Sequence, residues 1–582
     1  MSKKMPVRGR LSRGHLWSMI GFAALSLGLI SVDWVEIQAQ DATPEVKKDP
    51  FAEKAAQRKE ARKKALAAAN AASAPAARPT PGTGQKLDAV ALTKIIDQEV
   101  QRKLAEEKIP VSPLAGDAEF FRRVHLDLAG TIPTAEKVAA FLDSNDPNKR
   151  SKAINELLEN PRFGQFIGEI WSGMMLPRES NNRKLDHSPM VKWLAENFNK
   201  NTPLNEMVFD LITSTGDQDV NGAVTYFVAN PTIDKITDNV SRMFLGVQLQ
   251  CAQCHNHPFT DWKQKEYWGM AQFFIKTKLT ANPQQAAKKG ISPGIVENNA
   301  KANKKNVMPE SAMKVSAKFL GAEEPKLNPA DPYRPTLAKW MTSPENPFFA
   351  RAMVNRFWHH LFGRGIVNPV DDMHAENAPT HPELLDALTE QFKSSNFDLK
   401  NLVRAICNSE AYQRTSGPTG DNGDDRVYYS HRVVRVMLPE QMYDSLIVVL
   451  GQPAKGKKGT EAPVAQKKGP GGPREQFVNF FRVSDEPDAL QYETGIPQAL
   501  RMMNSGQTNN FNMPIEQAIR SAGGSGPEKV IERIYLTGLS RRPTPEETQR
   551  IMGHVKTAAA PRTVYTDLYW AIINSSEFIL NH

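Results

Sequence analysis

The chain has 582 residues, room for three or four ordinary domains, with 40% hydrophobic residues, 24% charged residues and a net charge of +9. That apolar share is low for a chain packed from end to end, so part of it is expected to lie outside any core. The charge is uneven: residues 40–86, 280–318 and 451–475 carry net +5, +5 and +4, the rest beyond residue 39 carries −8, and this argues against a basic folded face that binds nucleic acid.

Lys3, Lys4, Arg8, Arg10 and Arg13 precede an apolar run from Leu16 to Val32, and Ile37-Gln38-Ala39 offers a cleavage site. Residues 1–39 read as a signal peptide, or, uncleaved, as an inner-membrane anchor through residues 16–32. The protein is therefore expected in the periplasm or cell envelope. Residues 40–86, rich in Ala, Lys, Arg and Pro, read as a disordered tether.

From Leu87 apolar residues recur at helical spacing: Val90, Leu92, Ile95, Ile96, Val100 and Leu104. Phe120 to Ala129 is a predicted helix stopped by Gly130, and Ala135 to Leu142 forms the next. Segments 150–159, 163–176, 189–199 and 204–214 continue the pattern, the last with Thr202 as its expected cap and Pro203 in its first turn. A helix opened by Asn230-Pro231-Thr232 is expected to run through Leu245 directly into Cys251, followed by another over Trp262 to Phe274. Residues 280–328 exchange the apolar repeat for Lys, Ala, Asn and Pro, and read as a low-complexity linker. Helices resume at Pro335, with Phe348 to Phe362, a helix opened by a Thr380–Glu383 capping box, and Asp398 to Tyr412. A flexible insertion at 451–475 and a helical part from Pro487 to His582 complete the chain. Strand alternation is nearly absent. The expected fold is mainly α and multi-helical, with helical regions at 87–279 and 329–582 joined by a long polar linker.

The whole chain has three cysteines, and Cys251 and Cys254 stand two residues apart with His255 directly after. C-x-x-C-H is the attachment signature of haem c. Two thiols add to the porphyrin's vinyl groups, and the next histidine then lies under the iron. A zinc site is the rival, with His257 as an added ligand, although four ligands within seven residues is cramped for tetrahedral zinc. A disulfide, or two thiols with no cofactor, is the plainest alternative. For a sixth iron ligand the candidates are Met270 on the next helix and Met243 on the preceding one, with His125, His359, His360 and His374 more distant. An open sixth position is equally compatible with the motif. Asp371, Asp372, His374 and His381 form a second polar cluster, suited to a metal, to a hydrolase linked to polysaccharide processing, or simply to helix capping and pairing with Arg351, Arg356 or Arg364. No G-x-S-x-G, H-E-x-x-H or phosphate-binding glycine loop occurs.

Phe121-Arg122-Arg123-Val124-His125-Leu126-Asp127-Leu128-Ala129-Gly130-Thr131-Ile132-Pro133 and the stretch Cys251 to Phe259 resemble the planctomycete cytochrome-c-related domain of unknown function 1549. Asn355-Arg356-Phe357-Trp358, Leu361 to Val367, Asp371-Asp372, His381 to Asp386, Ser409 to Gln413 and Thr537 to Thr544 resemble its usual partner, domain of unknown function 1553. The resemblance covers roughly residues 88–580. Many relatives carry an additional N-terminal cytochrome c domain, where this chain has a tether. The resemblance implies no activity, since both families are uncharacterised. The expectation is an exported c-type-cytochrome-like protein with haem at Cys251, Cys254 and His255, serving a redox or envelope protein partner. The alternatives are a non-redox accessory protein with a Cys/His metal site and the hydrolase.

Overall fold

The computed structural model describes residues 86–177, 186–281, 286, 288–297, 310–451, 472–481, 501–504 and 510–582. The expected signal peptide or anchor, all of the tether but Lys86, and most of the 451–475 insertion lie outside the described residues. Among the described residues, no helix is long and apolar enough to cross a membrane.

The fold is mainly α. Its first described helix, Ala89–Glu107, is opened by the Asp88 carboxylate, which accepts from the Ala91 amide at 2.8 Å, and is closed by Lys108 in the left-handed conformation. It buries Leu92, Ile96, Val100 and Leu104, the i, i+4 stripe visible in the sequence. That stripe packs against Leu399–Asn408 and Pro382–Ser394, more than 270 residues away in sequence. One apolar core thus runs through both helical regions. Leu126 and Ile132 reach from the N-terminal region into a second cluster built around Met442, Ile531, Ile534 and Phe578.

Strands are short enough to escape any alternation test. β1 (Gly216–Asp217), β2 (Thr277–Leu279) and β3 (Gly294–Glu297) form an antiparallel sheet in the order β1-β3-β2, with Gly216 opposite Ile295 and Lys278 opposite Val296. β4 (Arg435–Val436) pairs with β5 (Leu580–Asn581). The described parts of 280–328 are built into the fold: they supply β3, and Phe319 stacks between Phe273 at 5.4 Å and Trp340 at 4.8 Å.

Several local expectations change. Helix Leu204–Thr213 takes Pro203 as its N-cap with no side-chain cap, so Thr202 does not cap it. No capping box forms at Thr380–Glu383: His381 is the N-cap of Pro382–Ser394, and the Thr380 hydroxyl is spent on Ile366 O and His381 Nδ1. The helix expected over Asp398 to Tyr412 breaks at Ser409, whose extended backbone ends Leu399–Asn408 and whose hydroxyl caps the short turn Glu410–Gln413.

Helix Asp117–Ala129 is buried on every side from Phe120 onward, despite carrying Arg122, Arg123, His125 and Asp127. Such charges survive burial only with partners. Arg122 donates to Gly538 O at 3.1 Å and Phe578 O at 2.7 Å. Arg123 donates to Tyr412 O at 2.7 Å, Arg414 O at 2.9 Å and the Glu119 carboxylate at 2.7 Å. The Asp127 carboxylate accepts from four donors: Asn581 at 2.7 Å, Tyr412 at 2.9 Å, Arg435 at 2.9 Å and Arg432 at 3.0 Å. Burial alone would raise its pKa, but Arg435, Arg432, His360 and the Tyr412 hydroxyl outweigh that and hold it below the usual carboxylate value. This charged run of the N-terminal region is therefore a buried clasp on the C-terminal region.

Candidate functional site

The path to the cysteines differs from the sequence expectation. Helix Ile233–Val240 passes into a π-helical turn, Ser241–Leu245, which stops at Gly246 with φ of 68°. Residues 247–249, outside any helix or strand, lead from there to a 3-10 turn, Gln250–Gln253. The helix does not run into Cys251 because Gly246 reverses the backbone and lies against Ala352 and Met373: a Cβ there would come within 3.1 Å of both.

The turn is seated by the following helix, Gln264–Ala271. Trp268 Nε1 donates to Gln253 O at 3.1 Å, and the Gln264 amide nitrogen donates to Gln253 O at 3.1 Å and Cys254 O at 2.8 Å. Asn256 Oδ1 accepts from the Gln264 backbone amide at 3.1 Å, and His257 N donates to Trp262 O at 2.8 Å, closing the loop. Backbone groups are thus satisfied while the chemistry-bearing side chains face out. Cys251 and Cys254 are exposed free thiols, and His255 is exposed. His255 Nδ1 lies 2.6 Å from Asn256 O, which fixes the tautomer with hydrogen on Nδ1 and leaves Nε2 as the free lone pair.

This donor set fits covalent haem. Attachment needs two reachable thiols at this spacing and an imidazole with one nitrogen free, and the turn offers all three. Cys407 is different in kind: it is fully buried, and desolvation raises its thiol pKa well above the ordinary value.

The second polar cluster divides. Asp371 is buried and committed to structure, accepting from Arg242 at 2.7 and 2.9 Å and from Gln248 at 3.0 Å. Its partner is Arg242, in place of the expected Arg351, Arg356 or Arg364; Arg351 pairs with Asp386. With the Met373 amide donating to Gly246 O at 2.9 Å, these bonds lay segment 371–373 along the strand of chain that leads to Cys251. Asp372 and His374, 3.6 Å apart, are thereby brought beside the cysteine loop. His257 registers them: desolvation lowers its pKa, Asp372 opposes this, and His374 and His255 lower it further. His381 packs elsewhere, buried against Tyr428 and Tyr429, with desolvation taking its pKa down to about 4. Among the described residues, no group of three or more His, Cys, Asp or Glu is arranged to hold a metal ion.

The axial candidates also separate. Met270 is fully buried in the main core and Met243 nearly so. His125 donates from Nδ1 to Phe121 O at 2.8 Å, and His360 from Nε2 to Asp127 O at 2.9 Å, both within the buried clasp. His359 is buried on the same helix as His360. His374 is the one that the fold carries to the loop.

Sequence reasoning missed Asp238 and Tyr267. Tyr267 is wholly buried beneath the cysteine turn, on the helix that seats it, and Asp238 faces its hydroxyl. An isolated Asp in the polar-looking run Asp234-Lys235-Ile236-Thr237-Asp238 gives no signal of burial; only the packing of Ile233–Val240 on Gln264–Ala271 does.

Residues 95–279 match PSCyt2, a protein of unknown function (DUF1549), and residues 333–555 match PSD1, a protein of unknown function (DUF1553). No curated protein and no solved structure matches the chain. The chain thus carries a domain of unknown function 1549 followed by a domain of unknown function 1553, in that order, over most of the described residues.

Proposed function

We propose that the protein is an exported, c-type-cytochrome-like electron carrier that holds haem through Cys251 and Cys254, with His255 on the iron. The observation that carries this reading is the exposed Cys251–Cys254 turn with His255 beside it, its Nδ1 occupied by Asn256 O and its Nε2 free. When bound, haem supplies one-electron redox chemistry. The chain's contribution is to present both thiols on one turn, to orient the imidazole, and to seat the turn on a buried helix through Trp268 and Gln264. The cytochrome-related name of the first family supports the same reading. Export rests on the basic and apolar residues from Lys3 to Ala39. The partner is a redox or envelope protein on the outer side of the inner membrane.

The test is a pyridine haemochrome spectrum and an intact mass of the full chain made in a host with a cytochrome c maturation system. A haem c spectrum with one added porphyrin supports the proposal; a colourless chain of apoprotein mass overturns it.

A further inference from the structure

Directly under the proposed haem turn lies a pair of polar side chains that the fold does not otherwise employ. Tyr267 is 0% exposed, and neither its hydroxyl nor the buried Oδ1 of Asp238 has a conventional hydrogen-bond partner among the described residues. The two groups nevertheless face each other across the contact between Ile233–Val240 and Gln264–Ala271. Helix Gln264–Ala271 is the one whose next residue, Trp268, bonds the carbonyl of Gln253, between the two cysteines. Cys254 is close enough to act electrostatically on the Tyr267 hydroxyl. Asp238 as a residue is half-buried, and its Oδ1 is enclosed.

We infer that Asp238 is the group that takes up the proton accompanying one-electron reduction at the Cys251–His255 site. The inference rests on the haem reading above. With haem held by Cys251, Cys254 and His255, one electron from the redox protein partner would lower the charge of the site by one. The Asp238 carboxylate then binds one proton from solvent and becomes a neutral carboxylic acid, so the charge of the site and its surroundings is restored. No bond within the protein is broken. Reoxidation releases the proton.

Asp238 suits this task because its carboxyl is poised between its two forms. Desolvation raises its pKa to about 6; Tyr267 and Arg242 pull it down, and Asp234, one turn back on the same helix, pushes it up. Tyr267 itself stays protonated, since burial and the nearby Asp238 raise its pKa above the ordinary value. Arg242 is tied to Asp371 and is therefore a fixed charge. A carboxyl at the helix contact beneath the turn responds to a change of one charge at the turn through the Coulomb interaction.

The experiment is a spectroelectrochemical titration of the haem-loaded full chain between pH 5 and 8. The expected midpoint potential is level at low pH and falls as pH rises above about 6, by at most about 59 mV per pH unit, the one-electron equivalent of a tenfold change. Asp238→Asn should flatten that region. Tyr267→Phe removes a group that favours the ionised carboxyl, so the bend should move to higher pH; this second variant keeps the packing of the ring. A haem-loaded Asp238→Asn chain with the wild-type pH profile overturns the inference and leaves the proposed function standing. A chain without porphyrin overturns both.

Discussion

Replacing Asp127 by Asn tests the clasp between the two family regions. The carboxylate accepts on Oδ1 from Arg435 and Asn581 and on Oδ2 from Tyr412 and Arg432. An amide of the same shape keeps one acceptor oxygen and turns an NH2 toward the other pair of donors. The Tyr412 hydroxyl can rotate to accept, but Arg432 cannot, and its side chain is 0% exposed. Arg432 and Arg435 then share a buried site without a countercharge. Breaking a buried pair in this way costs about 3–5 kcal/mol, most of it from the stranded charge. An exposed pair provides the scale: Arg542 lies 2.8 Å from Asp143 with both side chains in solvent, and Arg542→Ala should cost less than about 1 kcal/mol. Urea denaturation followed by tryptophan fluorescence and far-UV circular dichroism measures both. Trp171 and Trp268 report on the N-terminal region and Trp340 and Trp358 on the C-terminal one, and their transitions should shift together. A loss in Asp127→Asn no larger than in Arg542→Ala, or a shift confined to one region, would refute the reasoning.

His360 and His381 are both buried, and desolvation brings each to a folded pKa of about 4 against an ordinary 6.5. Between those values the unfolded chain binds more protons, so stability is full above pH 6.5 and falls toward pH 4, by up to about 1.4 kcal/mol per pH unit for each group. Denaturation midpoints across that range should show the slope, and His360→Gln should reduce it; an unchanged slope would count against a neutral buried His360. Gly246→Ala places a Cβ 3.1 Å from Ala352 and Met373 at a φ of 68°, and should cost about 1–2 kcal/mol of stability from the left-handed backbone alone; a cost near zero would contradict the assigned backbone. Met270→Leu should leave the spectrum of the haem-loaded chain unchanged, because Met270 is a core side chain; loss of an axial-ligand signature would show otherwise.

Much of the fold is legible in the sequence because its helices are amphipathic and punctuated. Leu92, Ile96, Val100 and Leu104 mark one face, Gly130 ends a helix with φ of 67°, and Thr134 caps the next. Where reading failed, a tertiary partner had taken over the local signal. Thr380 has a capping hydroxyl, but the carbonyl of Ile366 holds it. Arg122 and Arg123 lie on a helix that the sequence predicts, but nothing local shows that carbonyls from residues 412–578 bury them. The cysteine site was legible as a motif, since C-x-x-C-H is contiguous. Its neighbours were not: Asp372 and His374 arrive from more than a hundred residues away through the Asp371–Arg242 bond, and Asp238 and Tyr267 meet only when two helices pack.

The intact mass of the mature chain, produced with cytochrome c maturation, tests the central claim most directly. The account predicts one covalently added porphyrin, loss of all covalent haem when Cys251 and Cys254 are both changed to Ala, and retention of the porphyrin with a perturbed iron spectrum in His255→Ala. A wild-type chain without the porphyrin mass would contradict it, whether the thiols then prove to be a disulfide, with the mass of the dithiol less two hydrogens, or ligands of a metal that a chelator removes.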